Sequence, residues 1–237
     1  LMKKIFKISA WAVLFSILSM CMVIVNNNDK KLISLNEINI DNAENSFIKH
    51  KDIIQYLSAF NLDSCNRFNL NLNEIELYLQ KHTLIKNAQV YIDFEEKLAI
   101  NIEPRKAIVR ISNAKSSYYL DKDLSLIPVS KNFTPRVIVF SGDVKEEHHK
   151  EICDFVKIIE LNEFWKSQIV QIFYSTNDII LIPRVGNHKI YLGSLKNINK
   201  KLDNLFQFYN QVIPASGWHK YSDIIVKYDN QIVCKKK

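Results

Sequence analysis

An uncharged run from residue 8 to residue 25, preceded by Lys3, Lys4 and Lys7, sets the first constraint on this chain. It holds Trp11, Leu14, Phe15, Ile17, Leu18 and Met22. A bilayer's hydrocarbon core needs about 17–25 apolar residues of helix. The run meets the lower end of that range, and Ile5 and Phe6 lengthen it. A cleaved signal peptide would instead carry an apolar region of about 7–15 residues ending at small residues. Here the run closes on Met20-Cys21-Met22-Val23-Ile24-Val25, and Met20 stands where a lipoprotein signal wants a small residue. The reading is therefore an uncleaved transmembrane helix over residues 8–25. Its lysines precede it, so the positive-inside rule keeps residues 1–7 in the cytoplasm and sends the rest across.

Beyond the span the chain has the composition of a globular protein. Of its 237 residues, 47% are hydrophobic and 24% charged, so it can bury a core and is not a disordered tail. Its formal net charge is +7, which includes Lys3, Lys4 and Lys7 and a terminal Lys235-Lys236-Lys237 best read as solvated. Beyond Cys21, the cysteines at 65, 153 and 234 form no CxxC spacing, and three cannot all pair within one chain. Apolar burial of single thiols is the simpler account.

Two regions separate at Pro104. Residues 32–102 open with an apolar strand ending Ile38-Asn39-Ile40. A helix follows with Ile53, Ile54, Leu57 and Phe60 on one face. Asn73, with Glu76 three residues on, reads as the capping pair of a second helix carrying Ile75, Tyr78, Leu79 and His82. Val90, Ile92 and Phe94, then Leu98, Ile100 and Ile102, alternate as two strands. The order is strand, helix, helix, strand, strand: a small α+β unit with helices on one face of a short sheet.

Residues 103–237 are richer in strands. Short β segments are expected over 107–111, 117–120, 137–140, 169–174 and 179–182, with Gly186-Asn187 turning the chain into another at 189–192. Asp143 and Glu146 read as a capping pair for a helix with Ile152, Phe155, Val156 and Ile159 on its apolar face. A later helix places Ile198, Leu202, Leu205, Phe206 and Tyr209 together. The end reads as a strand over 222–228, a turn at Asp229-Asn230, and a final segment over 231–234. The whole chain is thus α+β: one transmembrane helix, a β-α-α-β-β domain, and a β-rich domain with flanking helices.

The usual tools of catalysis are missing. No GxSxG, GxxxxGK[ST] or HExxH occurs. The four glycines are too scattered to cradle a phosphate. His148 and His149 are neighbours among Lys145, Glu146, Glu147, Lys150 and Glu151, which reads as a solvated helix start rather than a metal site. Asp121 and Asp123 read as turn residues that bond their own backbone. No catalytic residue, metal or cofactor is assigned. The remaining candidate is a binding surface: the strand over 222–228, where Ile224 and Val226 alternate with Ile225 and Lys227. Late strands often lie at sheet edges, whose free N–H and C=O groups accept a partner's strand, and a plain interior strand is the alternative.

Taken in order, several stretches resemble the FtsQ/DivIB family of bacterial cell-division proteins, in a form like that of the Bacteroidetes. They are residues 83–90, residues 100–110 around Glu103-Pro104-Arg105, Tyr119-Leu120-Asp121 with Leu126-Ile127-Pro128, residues 135–142, Ile190-Tyr191-Leu192-Gly193, and residues 221–234. The resemblance implies a POTRA domain followed by a β domain. It implies a non-enzymatic scaffold of the inner membrane that binds FtsB and FtsL and links early division proteins to septal peptidoglycan synthesis. In that family FtsB adds to the last strand of the β domain. Carried onto this chain, the partner-binding residues are Tyr221, Ile224, Ile225, Val226, Lys227 and Tyr228, with Tyr228-Asp229 matching the family's Tyr-Asp. The resemblance also implies other division proteins at the POTRA-like domain, a periplasmic bulk and a place at the septum, with no nucleic acid or small-molecule substrate. Some members carry a Trp beyond that strand, where this chain has Cys234-Lys235-Lys236-Lys237. The expectations left standing beside this one are a POTRA-bearing accessory of translocation or secretion, and a membrane-anchored cell-wall hydrolase needing a clefted carboxylate pair.

Overall fold

Alternation and helical spacing decide most of the architecture. The computed structural model describes residues 11, 13–23, 35–60, 70–95, 97–114, 116–131, 133–175, 178–229 and 231–237. Residues 13–23 are helical with exposed side chains, among them Leu14, Phe15, Ile17 and Leu18. The rest of the expected span lies outside the described residues, apart from a helical Trp11. Among the described residues, no helix is long and apolar enough to cross a membrane. The rest of the chain divides into two units, one reaching Pro104 and the other comprising residues 45–47 and 105–237.

In the first unit β1 (Leu35–Ile40), α1 (His50–Leu57), α2 (Leu72–Gln80), β2 (Ile85–Ile92) and β3 (Leu98–Pro104) appear in the expected order. β3 is central, parallel to β1 and antiparallel to β2. Ile53 and Leu57 of α1 and Ile75 and Leu79 of α2 close over Ile85, Leu98, Ile100 and Ile102. Each such aliphatic side chain removed from water stabilises the unit by about 1.5–3 kcal/mol.

The capping of α2 differs from expectation. Asn71, not Asn73, is the N-cap, and its Oδ1 accepts the Glu74 N–H at 3.2 Å. Glu76 reaches sideways, accepting the Val90 N–H at 3.1 Å and tying the helix to β2. His82 is half-buried, its Nδ1 accepting the Leu84 N–H at 3.2 Å.

The second unit is built on one sheet. Its strands are β4 (Ala107–Ser112), β5 (Ser117–Asp121), β6 (Leu126–Pro128), β7 (Ile138–Gly142), β8 (Ile169–Tyr174), β9 (Ile179–Pro183), β10 (Lys189–Gly193), β11 (Tyr221–Ile225) and β12 (Val233–Lys236). Their order across the sheet is β12-β11-β10-β9-β8-β7-β4-β5-β6. Neighbours are antiparallel except β4 with β7, β7 with β8, and β10 with β11. Parallel neighbours need crossover connections. α3 (His149–Glu160) and α4 (Glu163–Gln168) join β7 to β8, while α5 (Ile198–Gln211) and α6 (Ile213–Ser216) join β10 to β11.

The crossover helices pack into one core with the sheet. Phe155, Val156 and Ile159 of α3, Trp165 of α4, and Leu202, Leu205 and Tyr209 of α5 meet Phe140, Ile172, Leu181, Ile190 and Ile224. Phe206 keeps to the rim of that core, exposed but edge-on to Phe164. At the start of α3, Asp143 does not cap. A 3-10 turn over Glu146–His148 intervenes, and His148 Nδ1 accepts the Lys145 N–H at 3.1 Å. His149 is buried rather than solvated, held at 2.8 Å from the Tyr118 hydroxyl, and burial pushes its imidazole below the usual range. Its charged neighbours Lys145, Glu146, Glu147, Lys150 and Glu151 are all exposed.

Asp121 and Asp123 do form a turn. Asp121 Oδ1 accepts the N–H groups of Asp123 at 2.9 Å and Ser125 at 2.8 Å, while Oδ2 receives Arg105 at 2.8 Å. Cys153 is buried, which lifts its thiol to about 11, and Cys234 is half-buried against the same core. Cys65 lies outside the described residues.

Candidate partner-binding edge

The final hairpin is where the sheet ends. β11 pairs with β10 on one side and with β12 on the other, through Tyr221 with Lys236, Asp223 with Lys235, Ile224 with Cys234, and Ile225 with Val233. The expectation of a free edge at residues 222–228 is therefore corrected. β11 is second from the end, and the outer edge belongs to β12, whose far side has no neighbouring strand among the described residues. The reason is non-local. Parallel pairing with β10 uses one side of β11, and antiparallel pairing with β12 uses the other.

The predicted residues fall into three settings. Ile224 and Val226 are buried and join the strand to the core. Tyr221 is half-buried, its ring 5.9 Å from that of Phe208 and its centroid 5.7 Å from the Lys220 ammonium. Ile225 is half-buried on the opposite sheet face, and Lys227 and Tyr228 are exposed beyond the end of β11.

The register carries Ile225 into a longer pattern. Phe173 of β8 stands opposite Ile180 of β9, Ile180 opposite Tyr191 of β10, Tyr191 opposite Ile225, and Ile225 opposite Val233 of β12. Successive strands lie about 4.8 Å apart, so these five side chains form a row across the sheet. Their neighbours Ile172, Leu181, Ile190 and Ile224 belong to the helix-covered core. Side chains alternate between faces, so the row lies on the face away from the helices. Phe173 and Val233 at its two ends are each more than two-fifths exposed.

Charged groups brace the end of β11. Asp178 accepts the Gly193 N–H at 2.8 Å and lies 3.7 Å from the Lys227 ammonium. Gly193 has φ +70°, and a Cβ there would stand 3.0 Å from the Lys227 Cβ, so only glycine fits both the turn and the neighbour. Lys201 donates to the Leu192 and Ser194 carbonyls at 2.8 and 2.7 Å. Burial lowers its pKa, and the carboxylates of Asp229 and Asp178 partly offset that. The Val226 N–H donates to the Tyr191 carbonyl at 2.9 Å, continuing the β10–β11 ladder one step.

This arrangement provides a backbone edge, apolar contacts and charged brackets, the parts of a protein-binding surface. Among the described residues, no group of three or more His, Cys, Asp or Glu side chains could hold a metal ion.

A family model described as FtsQ/DivIB, C-terminal related, matches residues 106–235. The chain belongs to the FtsQ/DivIB family. A POTRA-like domain model matches residues 35–103, the segment that folds as β1-α1-α2-β2-β3. The cell division protein DivIB of Clostridium tetani (strain Massachusetts / E88) is 25% identical over 189 residues, covering 73% of this chain and 69% of that protein. The FtsQ/DivIB match spans the sheet from β4 to nearly the end of β12, so the final hairpin lies within the family's own fold.

The role of β12 was missed in the sequence. Its lysines, Lys235 and Lys236, read as a solvated tail. A signal was present, since the arm of a hairpin that does not pair inward is the outer one.

Proposed function

We propose that this chain is a non-catalytic scaffold of the division machinery, binding FtsB- and FtsL-type partners through the end of its β domain. In this reading residues 8–25 hold it in the inner membrane, residues 1–7 are cytoplasmic, and the domains over 32–102 and 103–237 are periplasmic at the septum. The POTRA-like domain docks other division proteins. Family membership supports the division role, and the observation that carries the binding site is the unpartnered outer edge of β12.

A partner segment pairs its backbone with β12, which supplies affinity, while side chains beside that edge supply selectivity. Ile225, Lys227 and Tyr228 are placed to be touched, and Tyr221 supports them from the half-buried side. Ile224 and Val226 act from beneath by fixing β11. Exposed tyrosines are common anchors of protein interfaces, where truncation often costs about 2 kcal/mol.

The test is a titration of the FtsB-type partner's extracytoplasmic segment against the full chain and its Tyr228→Ala variant. Affinity is expected to fall by about tenfold or more, with an unchanged circular dichroism spectrum. Equal affinity in a folded variant would remove Tyr228 from the site. Depletion in cells tests the broader reading: filaments are the expected outcome, and an export defect without filaments points to a secretion accessory instead.

A further inference from the structure

The second unit carries another concave surface, far along the sheet from β12. At the N-terminal ends of the parallel strands β4, β7 and β8, a pocket of about 580 Å³ opens between the sheet and the crossover helices. Its floor is aliphatic: Ile108, Val137 and Ile138 from the strands, Val156 from α3, and Ile169 and Val170 from β8. Its rim is cationic. Lys122, Arg136, Lys157, Lys166 and Arg184 stand around it with Glu160 as the one carboxylate of the lining.

These five cations come from separate parts of the chain: the β5–β6 turn, the approach to β7, α3, α4 and the end of β9. All are exposed. Lys157 makes a surface pair with Asp154 at 3.1 Å, and Lys166 sits 3.7 Å from both Glu160 and Glu163. Such pairs contribute little to stability and exchange readily for another carboxylate.

We infer that this pocket docks an acidic peptide segment of a partner protein, with one apolar side chain seated on the floor and flanking Asp or Glu residues on the rim. Charge complementarity decides the sign of the ligand, and Arg136 and Arg184 offer planar forks matched to carboxylates. The form of the site decides between a peptide and a single phosphate. No glycine lines the pocket, so no backbone cradle closes on a compact anion, and the cations are spread around the rim of an apolar centre. An apolar anchor inside a polar rim is the anatomy of a protein interface. The volume lies within the range of pockets that enclose a small ligand or a few residues of chain.

The test uses the full chain as bait for a random dodecapeptide display library, with counter-selection against the Arg136→Glu/Arg184→Glu variant. Both arginines are exposed, and the variant's folding is checked by its denaturation midpoint. A single Lys122→Glu variant provides a second, milder charge reversal. The expected result is enrichment of peptides with Asp or Glu around one Leu, Ile or Phe. A selected peptide should bind at least about tenfold more weakly to the double variant, and similarly when its apolar residue becomes Ser. No enrichment, enrichment of neutral or basic peptides, or affinity indifferent to both variants overturns the proposal. So does the membrane outcome, in which phosphatidylglycerol vesicles bind the chain in an Arg136- and Arg184-dependent way while no acidic peptide is selected. None of these readouts involves β12, so they stand or fall independently of the FtsB-type site.

Discussion

Ile225 faces Val233 across the final hairpin, so the apolar row on the open face of the sheet ends on the strand that has no outer neighbour. A segment pairing with β12 would extend that row by one position, because its residue opposite Val233 points to the same face. Backbone pairing and side-chain contact are thereby supplied from one register.

The geometry beneath Lys227 predicts a stability effect at Gly193. Its left-handed backbone and the 3.0 Å approach to the Lys227 Cβ both oppose a side chain. Gly193→Ala should destabilise the second unit by about 1–2 kcal/mol, read as a lower urea midpoint with an unchanged slope. An unmoved midpoint would mean that the turn relaxes freely.

Asp121 predicts a larger effect. Its side chain is 3% exposed, pairs with Arg105 and accepts two backbone N–H groups of the β5–β6 turn. Asp121→Ala leaves Arg105 with an uncompensated charge and two donors unpaired, a loss of about 3 kcal/mol or more. Chemical denaturation monitored by tryptophan fluorescence measures it. A change below about 1 kcal/mol, typical of an exposed pair, would contradict the buried geometry.

His188 predicts acid sensitivity. The ring is buried, stacked beside Trp218 and 2.7 Å from the Tyr209 hydroxyl. Burial lowers its pKa below the ordinary 6.5, and the nearby Lys237 charge adds to the shift. As pH falls through 6.5 the unfolded chain takes up this proton first. Stability is therefore full above that value and is lost below it until the folded imidazole also titrates. His82 and His149 are lowered by burial too and act in the same sense. The urea midpoint should fall between pH 7.5 and pH 5.5, values bracketing the ordinary histidine pKa of about 6.5, and His188→Gln should narrow that fall. An identical fall in the variant would show that His188 is not a contributor.

Particular elements show why some of this was legible in the sequence and some was not. Strands β2 and β3 announced themselves because Val90, Ile100 and Ile102 alternate with polar residues, and one buried face is enough to fix such a pattern. α3 was legible for the same reason, through Ile152, Phe155, Val156 and Ile159. α4 was not: its six residues are too few for a period, although Trp165 at its centre is almost fully buried. The sequence does not separate Asn71 from Asn73 as the cap of α2, because both can cap and only the path of the chain chooses. The burial of His149 is invisible locally because it depends on Tyr118, 31 positions away. The outermost strand is hidden from the sequence in the same way. Which strand stays uncovered depends on the parallel pairing of β11 with β10, a contact between segments separated by the whole of α5 and α6.

The two ends of the nine-stranded sheet are built differently. β12 ends the sheet with an uncovered strand, whereas β6 at the other end has three residues and finishes in Pro128, which has no N–H to donate. Growth by strand addition needs a receptive border at each end of the repeating unit. β6 therefore offers less of a border than β12, so head-to-tail addition of copies of this chain is disfavoured at the β6 end.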